Sequence, residues 1–276
     1  MIFNAVGGVL VAAIGAIVLF VADSITFAIT AGLFFLLTLP AGSYVPNENK
    51  AKTGGEKIKN YMKDLKEGFS IVFHSLLAVF LFGSIICNFA LGASMAILPS
   101  FADQKGGAGV YGLLLAAEST GVLLGSLSAT WVGRFKVGHF SIIAFALGAL
   151  CWVSAALVPW SSVSIFLFGM AWIPIGATNV LLGAVKQSVI PVHVLGRVSS
   201  VTYSMSAVAM PIGSILGGYL ASLFGSIIIF AVAGSGLLLI SIVWTVHPKL
   251  RKLPESKDMT SSTFNLAFSE KRESIN

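Results

Sequence analysis

Glu118 stands in the run GVYGLLLAAESTGVLLGSL (109–127), nine residues into an apolar stretch with no basic residue close by in sequence. A carboxyl group at that depth costs about 2.5–3.5 kcal/mol on membrane-insertion scales, so it is expected to face a bundle interior or a water-filled cavity. There it can carry a proton or touch a substrate. The plainer alternative is a neutral, hydrogen-bonded group that bridges helices. Asp23 lies about seven residues into an earlier apolar run, nearer a membrane surface, where headgroups and helix ends are within reach. Asn88 and Asn179 are amides inside apolar runs. They can hydrogen-bond a substrate, although bonds between helices, worth roughly 0.6 kcal/mol each, are the commoner use. These four residues are the candidates for proton coupling or substrate contact.

Other chemistries find no support. GAGVYG (107–112) satisfies Gly-x-Gly-x-x-Gly, but dinucleotide binding needs a strand before it and an acid on a second strand. Here it opens an apolar helix. No Walker lysine motif, His-Glu-x-x-His or Gly-x-Ser-x-Gly is present, so no catalytic residues and no enzyme are expected. His74, His139, His193 and His247 lack metal-ligand spacing and read as surface residues. Neither metal nor other cofactor is implied. Cys87 and Cys151 both fall in apolar segments, which implies no disulfide framework.

The elements that must position these residues follow from composition. Of 276 residues, 56% are hydrophobic and only 10% charged, against about 25% charged in a soluble domain. Mean hydropathy is +0.92. The chain is therefore an all-α integral membrane protein, whose helices satisfy their own backbone hydrogen bonds in lipid. Eight spans are expected: about 1–14, 16–39, 70–98, 110–131, 140–158, 163–185, 199–221 and 226–246. Pro40, Pro99, Gly133, Pro159, Pro191 and Pro248 punctuate them. Tyr111 and Trp160 at one face, and Trp131 and Trp244 at the other, resemble interfacial belts.

Sixteen of the seventeen Lys and Arg fall in 40–69, 132–139, 186–198 and 247–276; only Lys105 lies elsewhere. The positive-inside rule makes those segments cytoplasmic, facing the anionic inner leaflet. The net charge of +6 is thus explained by the bilayer, with no nucleic-acid partner. Ile58, Tyr61, Met62, Leu65 and Phe69 recur at helical spacing among lysines, which predicts an amphipathic helix resting on that leaflet. The tail after Pro248 is polar and is expected to be loose.

One phrase occurs twice. GGVLVAAIGAIVLF (Gly7–Phe20) and GGYLASLFGSIIIF (Gly217–Phe230) share six of fourteen positions. A repeat spaced by six helices points to a transporter of two parallel six-helix halves. On that scheme 1–40 holds the last two helices of a first half, the earlier one incomplete. A cytoplasmic linker occupies 41–67, a complete second half 68–248, and a polar tail 249–276. The chain is then expected to lack four helices and part of a fifth.

The run PVHVLGRVSSVTYSMSAVAMPIGSILGGYLASLFG (191–225) carries a Pro, then Gly-Arg-Val, then Pro-x-Gly followed by small residues. It resembles the helix-ten to helix-eleven region of the macrolide-efflux branch of the major facilitator superfamily, which also includes an enterobactin exporter. GVYGLLLAAESTGVLLGSL (109–127) is similar to its helix eight and NFALGASMAILP (88–99) to the end of its helix seven. The likeness covers nearly the whole chain. Two departures stand out. The helix-five antiporter motif survives only as FNAVGG (3–8), without its Gly-Pro. The loop GSLSATWVGRFKVG (125–138) keeps Arg134 and Lys136 but lacks the usual acid.

The resemblance implies secondary, proton-coupled efflux of a hydrophobic drug or macrolide-like compound by alternating access, with Asn88 and Asn179 on cavity-lining helices. Gly121-x-x-x-Gly125 and Gly213-x-x-x-Gly217 let helices approach closely, Gly218 extends the second pair, and Pro211 permits a kink. The resemblance puts these on helices eight and eleven, the moving interface. Arg134, Lys136 and Arg197 belong to cytoplasmic loops. Two alternatives stay open. Either the chain is a transport-inactive remnant or membrane interaction partner, which would transport only with the missing N-terminal helices supplied in trans, or the cargo is a siderophore-like metabolite.

Overall fold

The computed structural model describes residues 16–37, 54–264 and 266. The first expected span, the first copy of the repeated phrase up to Gly15, the linker residues 41–53 and residues 267–276 lie outside them. The chain divides into two compact units, Met1–Lys63 and Asp64–Asn276. In the first, α1 (Ala16–Leu36) is apolar on every side apart from Asp23 and a few hydroxyl groups. Helix α2 (Gly54–Phe73) carries the chain into the second unit.

Six long helices build that second unit: α3 (Leu77–Lys105), α4 (Ala108–Val132), α5 (Val137–Leu157), α6 (Ser161–Val189), α7 (Val192–Phe224) and α8 (Ser226–Val246). All six are long and apolar enough to cross a membrane. Their 21 to 33 residues give about 31–50 Å at 1.5 Å per residue, against a hydrocarbon core of about 30 Å. The described residues contain no strand. Side chains such as Leu147, Leu150, Phe166 and Ile215 stay exposed on the helix flanks. Those faces suit hydrocarbon rather than water.

The packing follows two triplets, α3–α5 and α6–α8. The first helix of each lies against the second helix of the other, so α3 pairs with α7 and α6 with α4, while the third helices, α5 and α8, pair together. Association in lipid depends on close contact and interhelical hydrogen bonds. Both are present. Ser214 donates to the Gly92 carbonyl at 3.0 Å, joining α7 to α3, and Ser241 donates to the Ile142 carbonyl at 2.8 Å, joining α8 to α5. At the far end Gln104 donates to the Ser226 hydroxyl at 2.8 Å. An aromatic core of Phe101, Trp152, Phe168 and Phe230 fills the space between.

Several expectations change. Residues 70–73 finish α2 and do not begin a span: Ser75 accepts the Leu77 N–H at 3.3 Å and marks the break before α3. Pro99 does not end its span, since α3 runs through it, and α7 likewise runs through Pro211. Proline is tolerated in membrane helices because neighbours re-satisfy the freed backbone groups. Trp244 is not an interfacial anchor. It is buried, with its ring edge-on to Phe80 at 5.5 Å.

The stretch expected to be an amphipathic helix is helical, and part of it packs inward. Leu65, Gly68 and Val72 turn inward while Tyr61, Met62 and Phe69 are exposed; the Ile58 side chain lies outside the described residues. The tail is not loose over its described part. A short α9 (Pro248–Arg251) and two tight turns follow, and Leu250, Leu253, Met259 and Phe264 are buried. The strap crosses the basic end of the six helices. Ser256 N–H donates to Gly133 C=O at 3.1 Å, the Ser261 hydroxyl to Val189 C=O at 2.9 Å, and Leu76 N–H to Phe264 C=O at 3.0 Å.

Candidate functional site

Two stripes meet around a cavity of about 210 Å³. Along α3, Phe80, Ser84, Asn88 and Leu91 recur at helical spacing; along α6, Trp172, Ile175, Asn179 and Leu182 do the same. Phe145 and Trp152 of α5 and Trp244 of α8 close the back. The structure therefore brings Asn88 and Asn179 to one cavity. Asn88 spends its amide N–H on the Ser84 carbonyl at 2.9 Å, which leaves its side-chain oxygen as an acceptor. Thr178 donates to the Pro174 carbonyl at 2.7 Å. Asn179 is exposed.

No charged side chain among the described residues lines this cavity. Its walls are aromatic and aliphatic with a few amide, hydroxyl and indole groups, the composition of a small-molecule site. A second, almost wholly apolar cleft of about 330 Å³ lies between α3, α7 and α8. Ala90 and Gly236 line both spaces and separate them.

Glu118 is not among the cavity residues. It sits in α4 on the stripe of Leu114, Gly121 and Gly125, which faces α6. The side chain is half-buried, and its Oε2 is buried without a hydrogen-bond partner among the described residues. Asp23 lies in the first half of α1, where its backbone carbonyl accepts the Thr26 hydroxyl at 2.7 Å.

The glycines divide. A methyl group on Gly121 or Gly125 would overlap α6 backbone at Gly169 or Ile173, and one on Gly213 would overlap Phe89. On Gly217 it would sit 2.6 Å from the Ala93 Cα. Gly218 has nothing within 4 Å and makes no close approach, because it points away from α3. Gly106 and Gly107 adopt φ of +133° and +86°, so the GAGVYG motif is the turn that starts α4. Arg134 and Lys136 are exposed in the α4–α5 turn. Arg197 is bound: it pairs with Asp64 at 3.0 Å and Glu67 at 2.7 Å. Among the described residues no cluster of His, Cys, Asp or Glu could hold a metal, and the His193 side chain lies outside them.

Sequence reasoning missed Trp152, Trp172 and Trp244. A tryptophan in an apolar run reads as core, but following the helical stripe through Asn179 back to Trp172 would have found one of them.

Two triplets that exchange packing partners around an uncharged cavity define the architecture of a secondary-transporter half. The model of the transmembrane secretion effector family, within the major facilitator superfamily, matches residues 2–273, and the chain belongs to that family. It is thus a multi-pass membrane protein of a transporter family, not of an enzyme family. The chain is 29% identical over 161 residues to the multidrug efflux pump Tap of Mycolicibacterium fortuitum, covering 57% of this chain and 39% of Tap. To the uncharacterized MFS-type transporter YfiS of Bacillus subtilis (strain 168) it is 26% identical over 257 residues, 89% of this chain and 60% of YfiS. YvqJ of the same strain is 26% identical over 256 residues, 88% and 59%. The chain spans at most about 60% of the length of these relatives. No solved structure matches it.

Proposed function

We propose that the whole protein exports a hydrophobic drug or macrolide-like compound by alternating access, driven by protons, and that α3–α8 form its C-terminal half. The carrying observation is the uncharged cavity that gathers Asn88 and Asn179 against an aromatic wall. The likeness to a multidrug efflux pump supports efflux, and the Gly-Arg-Val and Pro-x-Gly run supports the macrolide-efflux branch. Asn88 and Asn179 then touch the substrate. Glu118, with an unpartnered buried oxygen beside the glycine seam, takes up and releases the proton as α4 moves against α6. The basic end, holding α2, the Arg134 and Lys136 turn and the tail, faces the cytoplasm and the anionic leaflet of the cell membrane.

The test is macrolide accumulation in a sensitive host that expresses the full reading frame, with and without a proton gradient. Glu118→Gln is expected to abolish exclusion at equal membrane abundance. Unchanged exclusion would reduce Glu118 to a structural role. Exclusion of a siderophore but not of a macrolide would change the cargo class.

A further inference from the structure

The α4–α5 turn and the tail are far apart in sequence, yet the strap lays one against the other. Ser256 N–H donates to the Gly133 carbonyl at 3.1 Å, and Val137 N–H to the Pro254 carbonyl at 3.2 Å. Gly138 permits this approach, since a Cβ there would overlap the Leu250 and Arg251 carbonyl oxygens. These backbone contacts bring Arg134 and Lys136 of the turn beside Lys249, Arg251 and Lys252 of the tail. All five side chains are exposed. None of them forms an ion pair among the described residues. The acids of the strap act on Lys257 instead: Glu255 pairs with it at 3.0 Å, and Asp258 adds to the field there. Five like charges gathered without counter-charge repel one another and attract an anion.

The surface next to the patch narrows the kind of anion. Leu124, Leu127 and Trp131 recur at helical spacing along α4, Phe135 follows in the turn, and all four are exposed. The Trp131 and Phe135 rings meet edge-on at 4.8 Å. Exposed aromatic rings at the end of an apolar span sit at headgroup depth. A soluble anion would use the charges and leave this stripe bare. A zwitterionic lipid would use the stripe and bring no net charge. The complementary ligand has an anionic head and an apolar chain.

We propose that the α4–α5 turn and the strap together form a binding site for one anionic phospholipid of the surrounding leaflet. Its head lies among the cations of turn and tail, and an acyl chain follows Leu124, Leu127 and Trp131. The head bridges two segments that only the strap brings together, so neither segment makes the site alone. The inference needs the membrane spans and the strap, and it does not depend on the transport reading.

The test is native mass spectrometry of the full chain in detergent, titrated with phosphatidylglycerol or with phosphatidylcholine of the same chains. Phosphatidylglycerol is expected to supply the first bound lipid. Each basic group removed is expected to weaken it about fivefold, so Arg134→Gln with Lys136→Gln weakens it roughly 25-fold. Arg251→Gln with Lys252→Gln does the same from the tail side. Lys59→Gln with Lys66→Gln removes equal charge from exposed positions of α2 and leaves the affinity unchanged. If a double variant does not fold, Lys136→Gln and Lys252→Gln alone decide, at about fivefold each. Equal binding of the two lipids by the unmodified chain would overturn the proposal. An equal loss in the α2 variant would overturn it too and leave only net charge. A loss from the turn variant without one from the tail variant would remove the strap from the site and overturn the shared head. Glycerol phosphate, the head without chains, is expected not to displace the lipid; displacement would assign the patch to a soluble phosphate compound and overturn the lipid assignment.

Discussion

Gly125 lies so close to α6 that a methyl group in place of its hydrogen would overlap the Ile173 carbonyl oxygen. Gly176 meets Val122 in the same way from the α6 side. Across the other seam Gly213 approaches Phe89 and Gly92 approaches Met210. Each seam thus has glycine on both helices, and each joins one triplet to the other. Lipid offers no hydrophobic drive for helix association, so this backbone contact is a principal source of cohesion. The structure shows what the glycines of the two Gly-x-x-x-Gly pairs meet on the facing helices.

Substituting Gly125 by Val must separate α4 from α6, because the obstacle is backbone and cannot rotate away. Overpacking of this kind costs about 1–3 kcal/mol. The thermal unfolding midpoint of the detergent-solubilised protein is expected to fall. Gly218→Val, with nothing within 4 Å of the added carbon, is expected to leave it unchanged. Equal midpoints for the two variants would mean that the seam yields.

Arg197 holds Asp64 and Glu67 while its own side chain is 35% exposed and theirs 47% and 44%. Solvent screens such pairs, so the gain is small, up to about 1 kcal/mol. Gly68 adds steric register, since a Cβ there would lie 3.0 Å from the Arg197 carbonyl oxygen. Arg197→Gln is expected to keep the fold and to speed amide exchange in residues 64–73 by up to about fivefold, most clearly at low salt. Exchange that does not change would show that Gly68 and Val72 hold the end of α2 without the ion pairs.

Lys105, the single basic residue away from the basic segments, has a local task. Its ammonium donates to the Val158 carbonyl at the end of α5 and lies 5.5 Å over the Phe101 ring. Lys105→Met keeps the aliphatic stem and removes the donor, with an expected loss of about 1–2 kcal/mol in stability. Membrane topology, probed by cysteine accessibility in the α4–α5 turn, should not change, because the other sixteen basic residues remain. A reversed topology would give Lys105 an orienting role.

The six spans of the second unit were legible because a long uncharged run has few uses other than crossing lipid. The resemblance put Asn88 and Asn179 on cavity-lining helices, and in the structure both line one cavity together with Phe80 and Trp172. The inward face of α2 was not legible. Tyr61, Met62 and Phe69 mark its apolar spacing, yet Gly68 decides the packing because it lets the helix reach Arg197 and Val201. The strap was hidden for a related reason: Leu253, Met259 and Phe264 are spaced irregularly in polar sequence, and no helical or strand period marks them.

Phe264 is the buried anchor of the strap, 2% exposed, and its ring lies 5.7 Å from that of Phe80. Phe80 in turn lines the cavity and meets Trp244 edge-on. A tail residue thus props one cavity wall from behind. Phe264→Ala removes that support and leaves a void; the usual cost of truncating a buried Phe is about 3–5 kcal/mol. A lower unfolding midpoint is expected, along with faster amide exchange at Leu76, whose N–H bonds to the Phe264 carbonyl at 3.0 Å. Lys257→Ala, at an exposed position in the same strap, should change neither. Unaltered exchange at Leu76 in Phe264→Ala would show that the backbone bonds of the strap hold without their aromatic anchor, and the wall at Phe80 would then owe its position to Trp244 alone.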